Sequence, residues 1–199
     1  LDGDLNGDTY VDASDFAVFE SNSIYGPYEQ RPYAITTNVS IGQSYQGGIV
    51  AYILQAGDVG YDANVQHGLI AAPSNQGYAP WGCYGTEISG ADGTDIGTGN
   101  QNTIDIMTCN EAGIAARICG DLVLGGFSDW YLPSKDELNQ LYINRVAIGG
   151  FAWSYYWSST EIDNNLAWGQ HFGYGFQYNY VKYLNYTNDG FYVRAIRAF

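Results

Sequence analysis

The sequence predicts an α+β domain with two helices and a multi-strand β region, preceded by a short EF-hand-like calcium loop and helix. Three observations carry this. Two apolar runs bounded by glycine, Gly48–Leu54 and Gly68–Ala72, read as buried strands. Two stretches with helical apolar spacing follow them. The last quarter of the chain then alternates aromatic and small polar residues between turn glycines. Two strands, two helices and a run of short strands indicate a compact α+β arrangement.

The acidic start comes first in chain order. Residues 1–20 carry six acids and no base. Asp4, Asn6, Asp8, Asp12 and Asp15 stand at loop positions 1, 3, 5, 9 and 12, and Tyr10 at position 7 offers its backbone carbonyl. That all-oxygen spacing suits a hard cation, so Ca2+ is the expected cofactor. The segment Gly3–Phe19 resembles a dockerin-type calcium repeat, present as a single copy and with Thr9 where the family usually has Gly. Such a resemblance implies a cohesin-like partner or self-association. Phe16–Asn22 reads as a short helix. Tyr25-Gly26-Pro27 and Arg31-Pro32 mark a linker. The expected organisation is a calcium-binding repeat at 1–24, a linker at 25–40 and a main domain at 41–199.

Within the main domain, residues 73–101 are rich in Gly, Asp, Asn and Thr without periodicity and read as a long ordered loop. Its Gly90–Asp95 stretch is a weaker candidate for a second calcium loop. Thr103 opens a helix whose apolar face is Ile104, Met107, Ala112, Ala115, Ala116, Cys119 and Leu122. Trp130–Leu132 is a short extended piece. Ser134 and Glu137 have the spacing of a capping box. The helix they open is expected to bury Leu138, Leu141, Tyr142 and Val146 and to stop at Gly149-Gly150. A solvated, capped helix start is also the preferred reading of the Lys135-Asp136-Glu137 charge cluster. Turns are expected at Gly173, Gly175 and Asp189-Gly190.

The ending reads as a fixed frame with a changeable filling. The frame is Trp157-Ser-Ser-Thr-Glu161, Ala167-Trp168, Phe172, Gly175 and Val193–Phe199. Arg194 and Arg197 belong to it, with Glu161 as the expected ion-pair partner. Trp157, Trp168, Phe172 and Phe199 are expected to be buried. The filling is dominated by Tyr and Asn, and Tyr174, Tyr178, Tyr180 and Tyr183 are expected to be exposed on one face. Tyr offers a large rigid contact area with a polar tip, and Asn and Gly offer adaptable hydrogen bonding, which is paratope chemistry.

From about Gly42 onward the chain resembles the Lcl-type C-terminal domain family of Legionella. The resembling stretches are Tyr45–Val50, Gly68–Ala72, Trp81–Thr86, Asp129–Leu138, Tyr156–Glu161 and Val193–Phe199. The resemblance implies a C-type-lectin-like fold, similar to that of formylglycine-generating enzymes. The ending is also similar to the variable proteins of diversity-generating retroelements, in which adenine-directed change scatters Asn codons. That similarity implies a variable region at 154–192. The candidate ligand-binding residues are Ile162, Asp163, Asn164, Asn165, Gly169 and His171, then Tyr174, Phe176, Tyr178, Tyr180, Tyr183, Asn185 and Tyr186.

Bulk properties exclude several function classes. A net charge of −14 argues against nucleic acid and anionic membrane surfaces. No stretch approaches the roughly 20 apolar residues that span a bilayer, so membrane insertion is not expected. The chain starts at Leu1 without a signal sequence and reads as part of something longer. Of three cysteines, Cys109 and Cys119 would lie roughly 15 Å apart on one helix, too far to pair. A Cys83–Cys109 bridge and three buried thiols stand as alternatives. His67 and His171 sit in no metal-ligand motif, and no nucleophile or phosphate-cradling motif is present. The expectation is therefore non-enzymatic: recognition of a protein or glycan ligand on another cell or particle, in an extracellular, cell-surface or virion setting. The alternative is a structural subunit of a surface assembly that uses the same tyrosines for subunit contacts.

Overall fold

The computed structural model describes residues 38–183 and 191–199. The chain divides into two units, Leu1–Thr37 and Asn38–Phe199, and the described residues all belong to the second. The calcium loop, the Phe16–Asn22 helix and most of the linker lie outside the described residues, as do Leu184–Gly190.

The unit is α+β, with two antiparallel sheets and short helices between them in sequence. Sheet A has the order β1-β2-β3-β7, formed by Ser44–Tyr45, Gly48–Ile53, Gly68–Ala71 and Ile196–Ala198. The predicted strands at 48–54 and 68–72 are β2 and β3. Sheet B has the order β4-β5-β6, formed by Tyr155–Glu161, Leu166–His171 and Gln177–Val181. Glycines in sheet A mark close approaches rather than flexibility. A Cβ on Gly48 would run into the Ala71 carbonyl and the Ile70 side chain, and one on Gly68 into the Tyr52 carbonyl and the Phe199 ring.

The two expected helices are four. The first stretch divides into α1, Gly99–Met107, and α2, Ala115–Gly120. The break lies at Asn110 (φ 56°) and Gly113 (φ 71°), both in the left-handed region that ends helices. The packing of α1 turns Asn102, Thr103 and Ile106 inward. Ile104 and Ala112, expected in the core, are exposed. The early start needs Gly99, because a Cβ there would collide with the Glu137 carboxylate. The second stretch divides into α3, Lys135–Ile143, and α4, Arg145–Ile148. The capping box is present in full: the Ser134 hydroxyl accepts from Glu137 N, and the Glu137 carboxylate accepts from Ser134 N at 2.7 Å. Leu138 and Leu141 are buried and Tyr142 half-buried. Val146 is 88% exposed, because the helix restarts at Asn144 and turns it outward.

The main core lies between sheet A, α1, α2 and sheet B. Trp81, Ile106, Ile114, Leu132, Trp157, Phe191 and Val193 meet there. A second cluster, Leu69, Leu138, Leu141, Tyr156, Phe172 and Ile196, packs α3 against both sheets. Cys83 and Cys109 form a disulfide with Cα atoms 6.1 Å apart. Cys119 is a buried free thiol whose pKa is pushed up by burial.

Candidate functional site: an aromatic face on a hydroxyl-stitched frame

The frame motif Trp157-Ser-Ser-Thr-Glu161 forms the bulged end of β4, where the register against β5 shifts between Trp157 and Glu161. The bulge turns buried hydroxyls toward neighbouring segments. Ser158 Oγ donates to Trp168 O, and Thr160 Oγ donates to Gly93 O at 2.7 Å while accepting from Lys135 N. Asn102 Nδ2 reaches both Gly93 O and Ser159 Oγ. Backbone N–H groups of Ser159 and Glu161 donate to Pro133 O and Ala91 O. These bonds absorb the inward carbonyls of the Gly90–Asp95 loop. That loop therefore serves as a strut between α1 and β4.

Glu161 does not pair with Arg194 or Arg197. Its partner is Lys182, in an ion pair buried on both sides. Ile88 N donates to both Glu161 oxygens, Lys182 donates to Thr86 O at 2.9 Å, and its ammonium stands 4.6 Å from the Trp81 ring centroid. Arg197 instead makes a two-toothed bridge to Asp129 at 2.7 and 2.8 Å and lies over Phe127. The guanidinium holds the Asp129 carboxyl below its ordinary value. Arg194 donates to Ala72 O and Gly149 O and stacks on Phe151. Burial lowers its pKa to about 10.

On this frame sits one contiguous aromatic surface. Tyr174, Phe176 and Tyr178 are 65%, 58% and 55% exposed, with neighbouring centroids 6.4 and 6.1 Å apart. Trp153, 72% exposed, meets Tyr174 edge-on, and His171 lies 4.8 Å from the Tyr174 ring. The His171 ring is held by Gly173 N, which donates to Nδ1 at 3.0 Å, and by Tyr155 packed against it at 4.5 Å. Gly175 (φ 83°) makes the turn before β6, and a Cβ there would strike the Tyr142 ring. A smaller aromatic pair, Tyr84 and Tyr183, stands edge to face at 4.8 Å. Sequence reading missed Trp153, Tyr155 and Tyr84 as contributors to these surfaces. Trp153 lies four residues before the frame motif, and its exposure was not legible from spacing.

Not every candidate joins the face. Tyr180 is half-buried against Phe191 and Tyr155, and burial raises its pKa. Gly169 is buried, and a Cβ there would lie 2.8 Å from Phe191 Cε1. Ile162, Asp163 and Asn164 are exposed and Asn165 is half-buried, all in the β4–β5 turn, where Asp163 caps the turn by accepting from Asn165 N and Leu166 N. Trp168 and Phe199, expected in the core, are half-buried, with Lys135 poised 4.7 Å over the Trp168 ring. Asn185 and Tyr186 lie outside the described residues, together with the calcium candidates Asp4, Asn6, Asp8, Tyr10, Asp12 and Asp15.

Among the described residues, metal-ligating side chains converge at Cys83, Cys109 and Glu111, within 4.8 Å of one another. The two sulfurs are bonded to each other, and the Glu111 carboxylate accepts from Cys83 N at 2.6 Å. Among the same residues, no helix is long and apolar enough to cross a membrane.

No curated protein matches this chain. The family model of the Lcl C-terminal domain matches residues 91–197, more than half of the 199 residues, from the Gly90–Asp95 strut to β7. The match takes in the hydroxyl-stitched bulge, the aromatic face and both frame arginines. The chain belongs to the Lcl C-terminal domain family.

Proposed function

We propose that this chain is a non-enzymatic recognition domain of C-type-lectin-like fold. It binds a protein or glycan on another cell or particle through the aromatic face of Trp153, His171, Tyr174, Phe176 and Tyr178. The observation that carries this reading is the exposure of these rings side by side on a rigid, bonded frame. Contiguous aromatic patches of this kind mark interaction sites, and Trp and Tyr are enriched among binding hot spots. The proposal extends to a variable region at 154–192 of the retroelement-diversified kind. It also extends to Ca2+ held by Asp4, Asn6, Asp8, Tyr10, Asp12 and Asp15 in a dockerin-type repeat, and to an extracellular, cell-surface or virion location. The Cys83–Cys109 disulfide fits an oxidising compartment.

Labelled protein applied to a glycan array and to a panel of intact cells tests the ligand claim. Binding that is lost in Tyr174→Ser/Phe176→Ser/Tyr178→Ser, with an unchanged melting temperature, supports it. Binding that survives the triple change sinks it. Calorimetry tests the metal claim: one Ca2+ per chain is expected for the wild type, with uptake weakened in Asp15→Ala. Uptake unaltered by Asp15→Ala removes the assignment. A neighbouring reverse transcriptase gene, with a near-copy of the 3′ coding segment differing at adenines, is the expected genomic signature.

A further inference from the structure

Each sheet of this fold has two edges, and three of the four are closed or short. β1 is only two residues long. β7 is three residues long, and its outer side is bridged by Tyr131, which exchanges two backbone hydrogen bonds with Ile196. The outer side of β4 is occupied by Tyr192, Pro133 and Ala91, which accept from Trp157, Ser159 and Glu161. The outer side of β6 is different. Its ladder with β5 runs without a register shift from Leu166↔Val181 to Gln170↔Gln177. His171 N donates to Phe176 O at one end and Lys182 N to Asn165 O at the other. Residues 176, 178 and 180 therefore direct their backbone groups at β5, as does Lys182 N, whereas Lys182 O accepts from Gly82 N. In an antiparallel ladder the intervening residues direct theirs away, so Gln177, Asn179 and Val181 present N–H and C=O groups on the far side. No hydrogen bond from the described residues meets that side.

Sheet edges that stay monomeric normally carry lysine, proline, a bulge or an inward charge. Gln177-Tyr-Asn-Tyr-Val181 carries none of these. It is also uncharged in a chain of net charge −14, and the Lys182 that follows it is neutralised by buried Glu161. Two copies of so acidic a chain repel, so a contact between copies needs an uncharged strip such as this one. The strip matches itself when antiparallel. A two-fold axis through Asn179 sets Asn179 across its own copy and Gln177 across Val181. It also sets Tyr178 across Tyr180 at the close, non-hydrogen-bonded positions where cross-strand aromatic pairs form.

We propose that β6 is a homodimerisation edge, joining two copies of this chain into one six-stranded sheet about Asn179. The contact shares Tyr178 with the proposed ligand face, and the Asn179 variants test it without altering that tyrosine. It leaves Tyr174 and Phe176 uncovered and places two aromatic faces side by side on one surface, an arrangement suited to multivalent binding. The pairing is closed, because each copy uses up its only open edge among the described residues. A five-residue edge buries less than the standard interface area, so the dimer exchanges with monomer.

Sedimentation equilibrium of the full chain, from micromolar to millimolar concentration, tests this. The expected mass rises from 21.8 kDa toward twice that value. Asn179→Pro deletes an N–H that points away from β5, so it should abolish dimerisation while leaving the β5–β6 ladder intact. Asn179→Lys places two like charges across the axis and should do the same, and it decides the matter if the proline variant melts early. A wild type that stays monomeric throughout overturns the proposal. So does a dimer that persists in a folded Asn179→Lys variant.

Discussion

Lys182 and Glu161 form a buried ion pair that fastens the end of β6 to the bulge of β4. It also draws in the 81–88 loop, through Trp81, Thr86 O and Ile88 N. The pair anchors the end of the aromatic strand in the interior. Its partners are specific. Ile88 N spans both carboxylate oxygens, and the ammonium has a carbonyl, a carboxylate and an indole face.

Breaking one half of such a pair leaves an uncompensated buried charge. Lys182→Met and Glu161→Leu should each lower stability by about 3–5 kcal/mol. The double variant should lose much less than the sum, since it buries neither charge. Urea denaturation of the three variants checks this. Additive losses would show that the pair has no coupling.

Frame and face should separate in a melting experiment. Trp157→Ala removes a fully buried ring stacked on Phe191 and should cost about 3–5 kcal/mol. Tyr174→Ser and Tyr178→Ser should change stability by only about 0.5 kcal/mol, as surface sites do. Gly169→Ala belongs with the frame despite its place in the filling. Its methyl would meet Phe191 Cε1 at 2.8 Å and Tyr156 O at 3.1 Å, an overpacking worth about 1–3 kcal/mol.

Glu137 makes stability depend on pH in an uncommon direction. Its carboxyl is raised to about 7, by burial above all, against hydrogen bonds from Ser134 and Gly97 that favour the ionised form. The folded protein thus holds a proton that the unfolded chain, with an ordinary carboxyl near 4.5, has released. The contribution is full below pH 4.5 and is lost as pH rises through about 7, an effect of roughly 3 kcal/mol at most. Glu137→Gln should flatten the wild-type slope across this window. It should also lower stability at low pH by about 1–3 kcal/mol, because an amide cannot accept from both Ser134 N and Gly97 N. Melting curves between pH 4.5 and 7.5 for both proteins give the comparison.

The Cys83–Cys109 bridge closes a separation of 26 residues. Loop entropy makes it worth about 3–4 kcal/mol. Cys83→Ser/Cys109→Ser should be less stable by that amount in urea denaturation and insensitive to reductant, whereas the wild type should fall to the same value on reduction. Cys119, buried and with its pKa pushed up, should resist alkylation until the protein unfolds.

Local chemistry by itself determined much of this protein. Gly48–Leu54 and Gly68–Ala72 announce strands because an apolar, β-branched run between glycines has few other homes. Ser134 and Glu137 announce a helix start because both capping bonds are made within four residues. The contrast between frame and filling announces an exposed aromatic surface, and Tyr174 and Tyr178 lie on one. The tertiary structure decided what depends on residues far apart in sequence. Glu161 takes Lys182 rather than an arginine because the fold brings β6 back over Trp81. Asp129 claims Arg197, 68 residues away, because β7 lies beside the Trp130–Leu132 segment. Tyr180 turns inward while Tyr178 stays out, because the Phe191 ring packs against the Tyr180 end of β6. The helix beginning at Gly99 instead of Thr103 follows from the Glu137 carboxylate, which only a glycine can approach. Periodicity reports which residues could face a core; the packing partner decides which of them do.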